Sequence, residues 1–253
     1  MRALEGKHAV VTGGGRGIGA AIAAALAAQG ASLTLMGRDA ARLNNQAQAL
    51  AARDVTVDIA DPASVAAAFS RAEADAGPVD ILVNNAGIVA TAPFARTDLA
   101  LWTQMVGVNL TGTYLCCRQV IPGMLQRGYG RVVNIASTAG LTGYAYVTAY
   151  CAAKHGVVGL TRALAMETAR SNVTVNAVCP GYTETDMVGE AVATIVRKTG
   201  KTEDQARAAI VGRNPQQRLV QPEEVANATL WLCMPGSEAI TGQAIAVAGG
   251  ELL

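Results

Sequence analysis

Seven short runs of β-branched and apolar residues alternate with long alanine-rich stretches, and this rhythm restricts the possible folds more than any other feature of the chain. Strand candidates are 8–12, 32–36, 55–57, 81–83, 131–135, 174–178 and 244–247; helices are expected at about 17–29, 39–51, 62–76, 99–127, 148–170 and 222–234. Strands separated by helix-length segments cannot form hairpins. They form βαβ units, which build a parallel sheet covered by helices on both faces. No repeat, low-complexity tract or Pro/Gly/Ser linker divides the 253 residues, so a single α/β domain spanning 1–253 is expected.

One segment departs from the rhythm. Residues 185–215 carry a charged helical excursion (Arg197, Lys198, Lys201, Glu203, Asp204, Arg207) between the sixth strand and the helix opening at Pro222. An insertion after the carboxyl end of a strand is where a doubly wound fold carries a substrate lid, and a lid is also a solvated pair of surface helices.

Composition excludes several classes of function. Half of the residues are hydrophobic but only 4% are aromatic, which suits helices packed closely on a sheet. The formal net charge is +1 with cations scattered, so no nucleic-acid footprint is expected. No run of 18 apolar residues occurs, so no membrane span is expected, and strand 8–12 begins too early for a cleavable leader. Five cysteines (Cys116, Cys117, Cys151, Cys179, Cys233) without C-x-x-C spacing point to reduced thiols and a cytoplasmic setting. His8 and His155 are the only histidines, which argues against a metal site or a Ser-His-Asp triad; His155 is read as structural.

The first strand runs into T-G-G-G-R-G-I-G, Thr12 to Gly19. Gly13 permits a tight turn, Gly17 a close backbone approach to phosphate, and Gly19, after Ile18, close packing of helix on strand; the helix amino terminus then faces a pyrophosphate. This is a Rossmann-type nucleotide site. At the end of the second strand Gly37 holds the position where a carboxylate would bind the ribose of NAD, and Arg38 follows. With Arg16 as a second cation, NADP(H) is favoured over NAD(H); Asp39 is the carboxylate that a small backbone shift would bring near the ribose.

Tyr150 and Lys154 stand four apart in Y-C-A-A-K, 13 residues after Ser137. Positions i and i+4 share a helix face. A tyrosine of ordinary pKa near 10 is a poor acid–base catalyst at neutral pH, and a close cation favours the phenolate. A resemblance of this trio to that of nicotinamide-dependent carbonyl reductases implies that Tyr150 gives the proton, Ser137 donates a hydrogen bond to the same oxygen, and Lys154 lowers the tyrosine pKa and holds a ribose.

The ordered motifs (the glycine turn; Asp58-Ile59; N-N-A-G at 84–87; Asn109 in V-N-L-T-G; Ser137; Tyr150 and Lys154; P-G at 180–181 followed by Y-T-E-T-D-M) resemble the short-chain dehydrogenase/reductase family over essentially the whole chain. The resemblance implies a seven-stranded Rossmann fold and a hydride transfer between NAD(P) and a carbonyl or secondary alcohol. It implies that Asp58 and Ile59 hold the adenine, that Asn85, Ala86 and Gly87 line the nicotinamide ribose, and that Pro180, Gly181, Thr183 and Thr185 lie along the cofactor. It also implies that Asn109 anchors a water in a proton relay. N-N-A-G equally suits a structural turn after a strand.

The substrate pocket is expected to draw on Thr138, Ala139, Leu141, Tyr144, Tyr146 and Val147, with Tyr182, Thr185 and Met187 from the lid. Several stretches are similar to those of polyketide ketoreductases and of 3-hydroxyacyl-thioester dehydrogenases. Fatty-acid reductases of the family present arginines to acyl carrier protein near positions held here by Gly128 and Ser171, with Arg127 and Arg170 adjacent. A coenzyme A thioester whose phosphates meet Arg197, Lys198 or Lys201 is the first expectation; a free aryl or cyclic ketone reductase is the second, and a silent nucleotide sensor the third. The family's common state implies a homotetramer, with Gly107, Gly112 and Gly159 packing across a two-fold axis and 245–253 as a second contact.

Overall fold

The computed structural model describes residues 2–252. Seven strands, β1 (His8–Thr12), β2 (Ser32–Gly37), β3 (Arg53–Thr56), β4 (Ile81–Asn84), β5 (Gly130–Ile135), β6 (Val173–Pro180) and β7 (Ala244–Val247), form one parallel sheet. Their order is β3-β2-β1-β4-β5-β6-β7. The chain winds outward from β1 in one direction, then returns to β4 and winds in the other. That reversal leaves a crevice at the carboxyl ends of β1 and β4, where open α/β sheets bind their ligands.

Successive side chains on a strand point to opposite faces, and the core divides accordingly. Val10, Leu82, Val132 and Val175 pack on one side with α3 (Pro62–Ala76) and α5 (Gly112–Arg127). Ala9, Val11, Ile81, Val83 and Val133 pack on the other with α1 (Gly17–Ala28), α2 (Ala40–Leu50) and α9 (Pro222–Cys233). Each leucine or isoleucine so buried contributes roughly 1.5–3 kcal/mol. Local chemistry fixes the helix starts: the side chains of Asp39, Asp61 and Asp98 accept from the first-turn amides of α2, α3 and α4 (Leu99–Val106).

The helix expected over 99–127 is interrupted. Between α4 and α5 the chain makes one π-helical turn, Gly107–Thr111, with Asn109 at its centre. The extra residue per turn re-aims a side chain without ending the helix. Its long neighbour α6 runs over Thr148–Thr168. The excursion after β6 is two helices, α7 (Asp186–Thr199) and α8 (Glu203–Val211), with a small apolar core of their own from Val188, Val192, Ala206, Ile210 and Leu219. A two-pronged Arg207–Glu184 pair (2.7 and 2.9 Å) holds α8 to the segment leaving β6. No described helix is long and apolar enough to cross a membrane.

Candidate active site

The glycine turn is tied to the loop after β4. Thr12 Oγ1 accepts from the amides of Asn85 and Ala86, both at 3.0 Å, and Asn85 Nδ2 donates to the carbonyls of Thr12 (3.0 Å) and Gly13 (3.2 Å). Asn84 donates to Asn134 Oδ1 (2.9 Å) inside the sheet. The two asparagines of N-N-A-G are thus braces, and the structural role expected for this motif accounts for them. Gly87 differs: a Cβ there would stand 2.7 Å from Asn109 Oδ1 and 3.7 Å from Lys154 Nζ, so it adjoins the catalytic candidates.

Gly13 has φ +65°, a conformation that favours glycine, and a Cβ on Gly19 would overlap the Gly13 carbonyl oxygen. Only a side-chain-free turn lets α1 start this close to β1. Its amino-terminal amides, from half-buried Gly17 and Ile18 onward, fit a pyrophosphate.

Around that turn stands a charge cluster that the sequence only partly foretold. Arg38 lies exposed at the bend after β2. Arg16 and Arg42 both reach Asp186, at 2.8 and 3.4 Å, and Arg42 also pairs with Asp39 at 3.2 Å. The expectation of two guanidiniums and no carboxylate needs correction: Arg16 and Arg42 pair with Asp186 and Asp39 here, while Arg38 makes no ion pair among the described residues. Asp39 is engaged as the cap of α2, accepting from the Arg42 amide at 3.1 Å. Arg16, in the glycine turn, and Arg42 are cations that a dinucleotide's phosphates could meet there.

Asp58 is exposed and caps its own turn, accepting from the Ala60 amide at 3.0 Å. Ile59 turns into the core, where a Cβ on Gly112 would stand 2.8 Å from its Cδ1. Any adenine contact of Ile59 therefore falls to its main chain. Gly112 packs inside the subunit rather than across an axis, while a Cβ on Gly107 or Gly159 would meet open space.

At the carboxyl ends of β5 and β6 the catalytic candidates converge. Ser137 follows β5 and opens a single 3-10 turn, Thr138–Gly140, its Oγ accepting from the Ala139 amide at 3.1 Å. Its hydroxyl lies close enough to the Tyr150 phenol to favour the phenolate. One turn further along α6, Lys154 is buried, with Nζ 5.7 Å from the Tyr150 ring centroid. Burial dominates the titration of both: it pushes the Tyr150 phenol up to about 12 and the Lys154 ammonium down to about 8. The expectation that the lysine outweighs burial is not met in this geometry. A buried ammonium must find an acceptor, and Lys154 Nζ takes the Ile135 carbonyl at 2.8 Å instead of the phenol.

Asn109 is buried below them. Its Oδ1 accepts from the Ile88 amide (3.1 Å) and its Nδ2 donates to the carbonyls of Ile88 and Met105 (both 3.0 Å), so both carboxamide hydrogens are committed. Gly181, at the end of β6, donates to Val247 O (3.0 Å); Thr183 Oγ1 donates to the Gly181 carbonyl (3.0 Å) and Thr185 Oγ1 to the Thr183 carbonyl (3.2 Å). Pro180 ends β6 itself. Thr185 also stands over the glycine turn: a Cβ on Gly17 would lie 3.2 Å from its Cγ2.

A cleft of about 690 Å³ opens beside the turn after Ser137, lined by Leu141, Gly143, Tyr144, Arg213, Glu251 and Leu252. None of Ser137, Tyr150 and Lys154 lines it. Tyr144 donates to Glu251 Oε1 (2.7 Å), the Arg213 guanidinium sits 5.0 Å from its ring centroid, and burial leads in raising its pKa to about 12. Thr138 and Ala139 are buried, whereas Tyr146, Tyr182 and Met187 are exposed and Val147 half-buried. Burial leads in raising the Tyr182 pKa as well, and Tyr182 lies near enough to the Tyr150 phenol to raise the latter's. Thr12, Arg42, Arg213 and Glu251 were missed by sequence reasoning. Only Thr12, beside the first motif glycine, carried a signal there; Glu251 is 107 residues from its partner Tyr144.

This fold and this cluster define an oxidoreductase of the nicotinamide-dependent type. The family profile described as short chain dehydrogenase matches residues 7–195, and the chain belongs to that family. It is 40% identical to acetoacetyl-CoA reductase of Rhizobium meliloti over 245 residues, covering 96% of this chain and 97% of that protein. It is 37% identical to a 3-oxoacyl-(acyl-carrier-protein) reductase of Vibrio harveyi over 249 residues, 98% of each. A crystal structure of an actinorhodin polyketide ketoreductase variant with NADPH superposes with a TM-score of 0.94 at 39% identity, covering 97% of both chains.

Proposed function

We propose that the protein is an NADPH-dependent reductase of 3-oxoacyl thioesters, with coenzyme A as carrier and Tyr150 as general acid. The carrying observation is the convergence of Ser137, Tyr150 and Lys154 beside Gly87 at the carboxyl ends of the central strands. When bound, the dihydronicotinamide supplies a hydride to the substrate carbonyl carbon. A phenol pushed up to about 12 is protonated at neutral pH, which is the state a reduction needs. Ser137 and Tyr150 then donate to the carbonyl oxygen, and Tyr150 gives up its proton as charge develops there. Lys154 is the cation that stabilises the phenolate left behind. The relay role of Asn109 falls to its main-chain carbonyl, which accepts from Thr113 Oγ1 (2.9 Å) and keeps a second lone pair.

Gly13, Gly17, Ile18 and Gly19 would hold the pyrophosphate, Arg16, Arg38 and Arg42 the 2′-phosphate, Asp58 and Ile59 the adenine, and Pro180 to Thr185 the carboxamide side. The named activities of the relatives support a 3-oxoacyl substrate. Coenzyme A is favoured over a carrier protein by two observations. Gly128 ends α5 with φ +66°, and Arg127, though exposed, has its Nη2 engaged in donating to the Val79 carbonyl at 2.6 Å. Arg197, Lys198 and Lys201 remain exposed on the lid. Leu141 and Tyr144 in the cleft, with exposed Tyr182 and Met187 after β6, favour a second reading, reduction of free aryl or cyclic ketones. Exposed Leu99, Trp102, Tyr114 and Met166 on α4 to α6 support a homotetramer, as does half-buried β7; Leu253 of the expected second contact lies outside the described residues. A cytoplasmic setting agrees with five unpaired cysteines.

The test is NADPH oxidation with acetoacetyl-CoA against a panel of free ketones. Turnover of the thioester at higher kcat/KM supports the proposal; turnover of free ketones alone replaces it with the second reading.

A further inference from the structure

The phosphate-reading end of the cleft holds a carboxylate that belongs to the lid. Asp186 is the first residue of α7, and its Oδ2 takes Arg16 Nη1 at 2.8 Å and Arg42 Nη1 at 3.4 Å. Those guanidiniums come from different elements, the glycine turn and α2, and share one oxygen of one lid residue. The preceding Thr185 rests over Gly17, so the lid is seated on the turn at two adjacent points.

We infer that Asp186 is a specificity-determining residue: it occupies, in place of the cofactor's 2′-phosphate, the guanidiniums of Arg16 and Arg42. The inference rests on the NADPH reading above. A 2′-phosphate carries the same sign as the carboxylate and has more oxygens to offer the same donors. Arg42 keeps Asp39 as a second partner on its own helix, so Asp186 is the anion free to leave. Binding of a phosphorylated dinucleotide then exchanges one anion for another and releases the lid's first turn. NADH has no such group and leaves the Asp186 pairs in place. Asp186 therefore opposes NADPH specifically, and the lid responds to which cofactor arrives.

All three side chains are about half exposed or more, so each pair is weak and the expected effect is modest. Dissociation constants of NADPH and NADH measured by fluorescence titration of the full chain test it directly. Asp186→Asn should tighten NADPH about three- to tenfold, the scale of an exposed ion pair removed together with its repulsion, and leave NADH within about twofold. Asp186→Ala should do the same, which separates loss of charge from a side effect of the amide. A change equal for both cofactors, no change, or weaker NADPH binding overturns the inference. Arg38→Ala, measured in parallel, reports on the underlying reading. Equal weakening of both cofactors there removes the phosphate site itself. Selective loss of NADPH there, with Asp186→Asn inert, removes only the role of Asp186.

Discussion

The Lys154 ammonium donates to the Ile135 carbonyl oxygen across 2.8 Å, and this bond joins the catalytic face of α6 to the last residue of β5. It satisfies a buried cation, but burial still lowers the ammonium to about 8. The charge that must stabilise a phenolate is therefore present at neutral pH and disappears under mildly alkaline conditions.

The kcat for reduction should be level near neutrality and fall as pH rises through about 8, because Lys154 loses its proton there while the Tyr150 phenol, at about 12, keeps its own. In Lys154→Arg the alkaline limb should move beyond the accessible range, since a guanidinium stays charged. A wild-type profile flat from about pH 7 to 9.5 would remove Lys154 from this role.

His8 makes a prediction about folding. Its Nε2 pairs with Thr34 Oγ1 (2.9 Å) and its Nδ1 with the Gly77 carbonyl (2.8 Å), an arrangement that a neutral ring satisfies with the proton on Nδ1. Burial lowers its pKa below the ordinary 6.5. The unfolded chain thus takes up this proton first. The contribution of His8 is complete above about 6.5 and is lost as pH falls towards the folded value. Thermal midpoints should drop between about pH 7 and 5, and His8→Gln should flatten part of that slope while costing about 1–3 kcal/mol at neutral pH. An unchanged slope in the variant would clear His8 of the effect.

Two glycines predict opposite outcomes. A methyl at Gly19 overlaps the Gly13 carbonyl oxygen, so Gly19→Ala should destabilise by about 1–3 kcal/mol and weaken NADPH and NADH alike. Gly159 lies within α6 and a methyl there meets nothing in the subunit; Gly159→Ala should stabilise an isolated subunit by up to about 1 kcal/mol. If subunits associate through that face, the same methyl should weaken the assembly, which sedimentation reports.

The positions of β1, β2, β4, β5 and β6 were legible because strands buried on both faces are written as apolar runs, and the starts of α2, α3, α4 and α9 because each carries a capping Asp or a Pro. The candidate trio was legible because two of its members, Tyr150 and Lys154, are a local i, i+4 pair. The π turn around Asn109 was not: nothing in V-N-L-T-G distinguishes it from ordinary helix, since the bonds that re-aim Asn109 run to Ile88, 21 residues away. Arg42, Arg213 and Glu251 were hidden for the same reason. Their roles arise from folding distant segments together, and no local spacing records that.

The most direct test is single-turnover reduction of acetoacetyl-CoA by NADPH in Tyr150→Phe, with cofactor affinity measured alongside. The account predicts a loss of at least about a hundredfold in rate, the scale of a missing general acid, with NADPH binding little changed. A rate within a few-fold of wild type at unchanged affinity would contradict it.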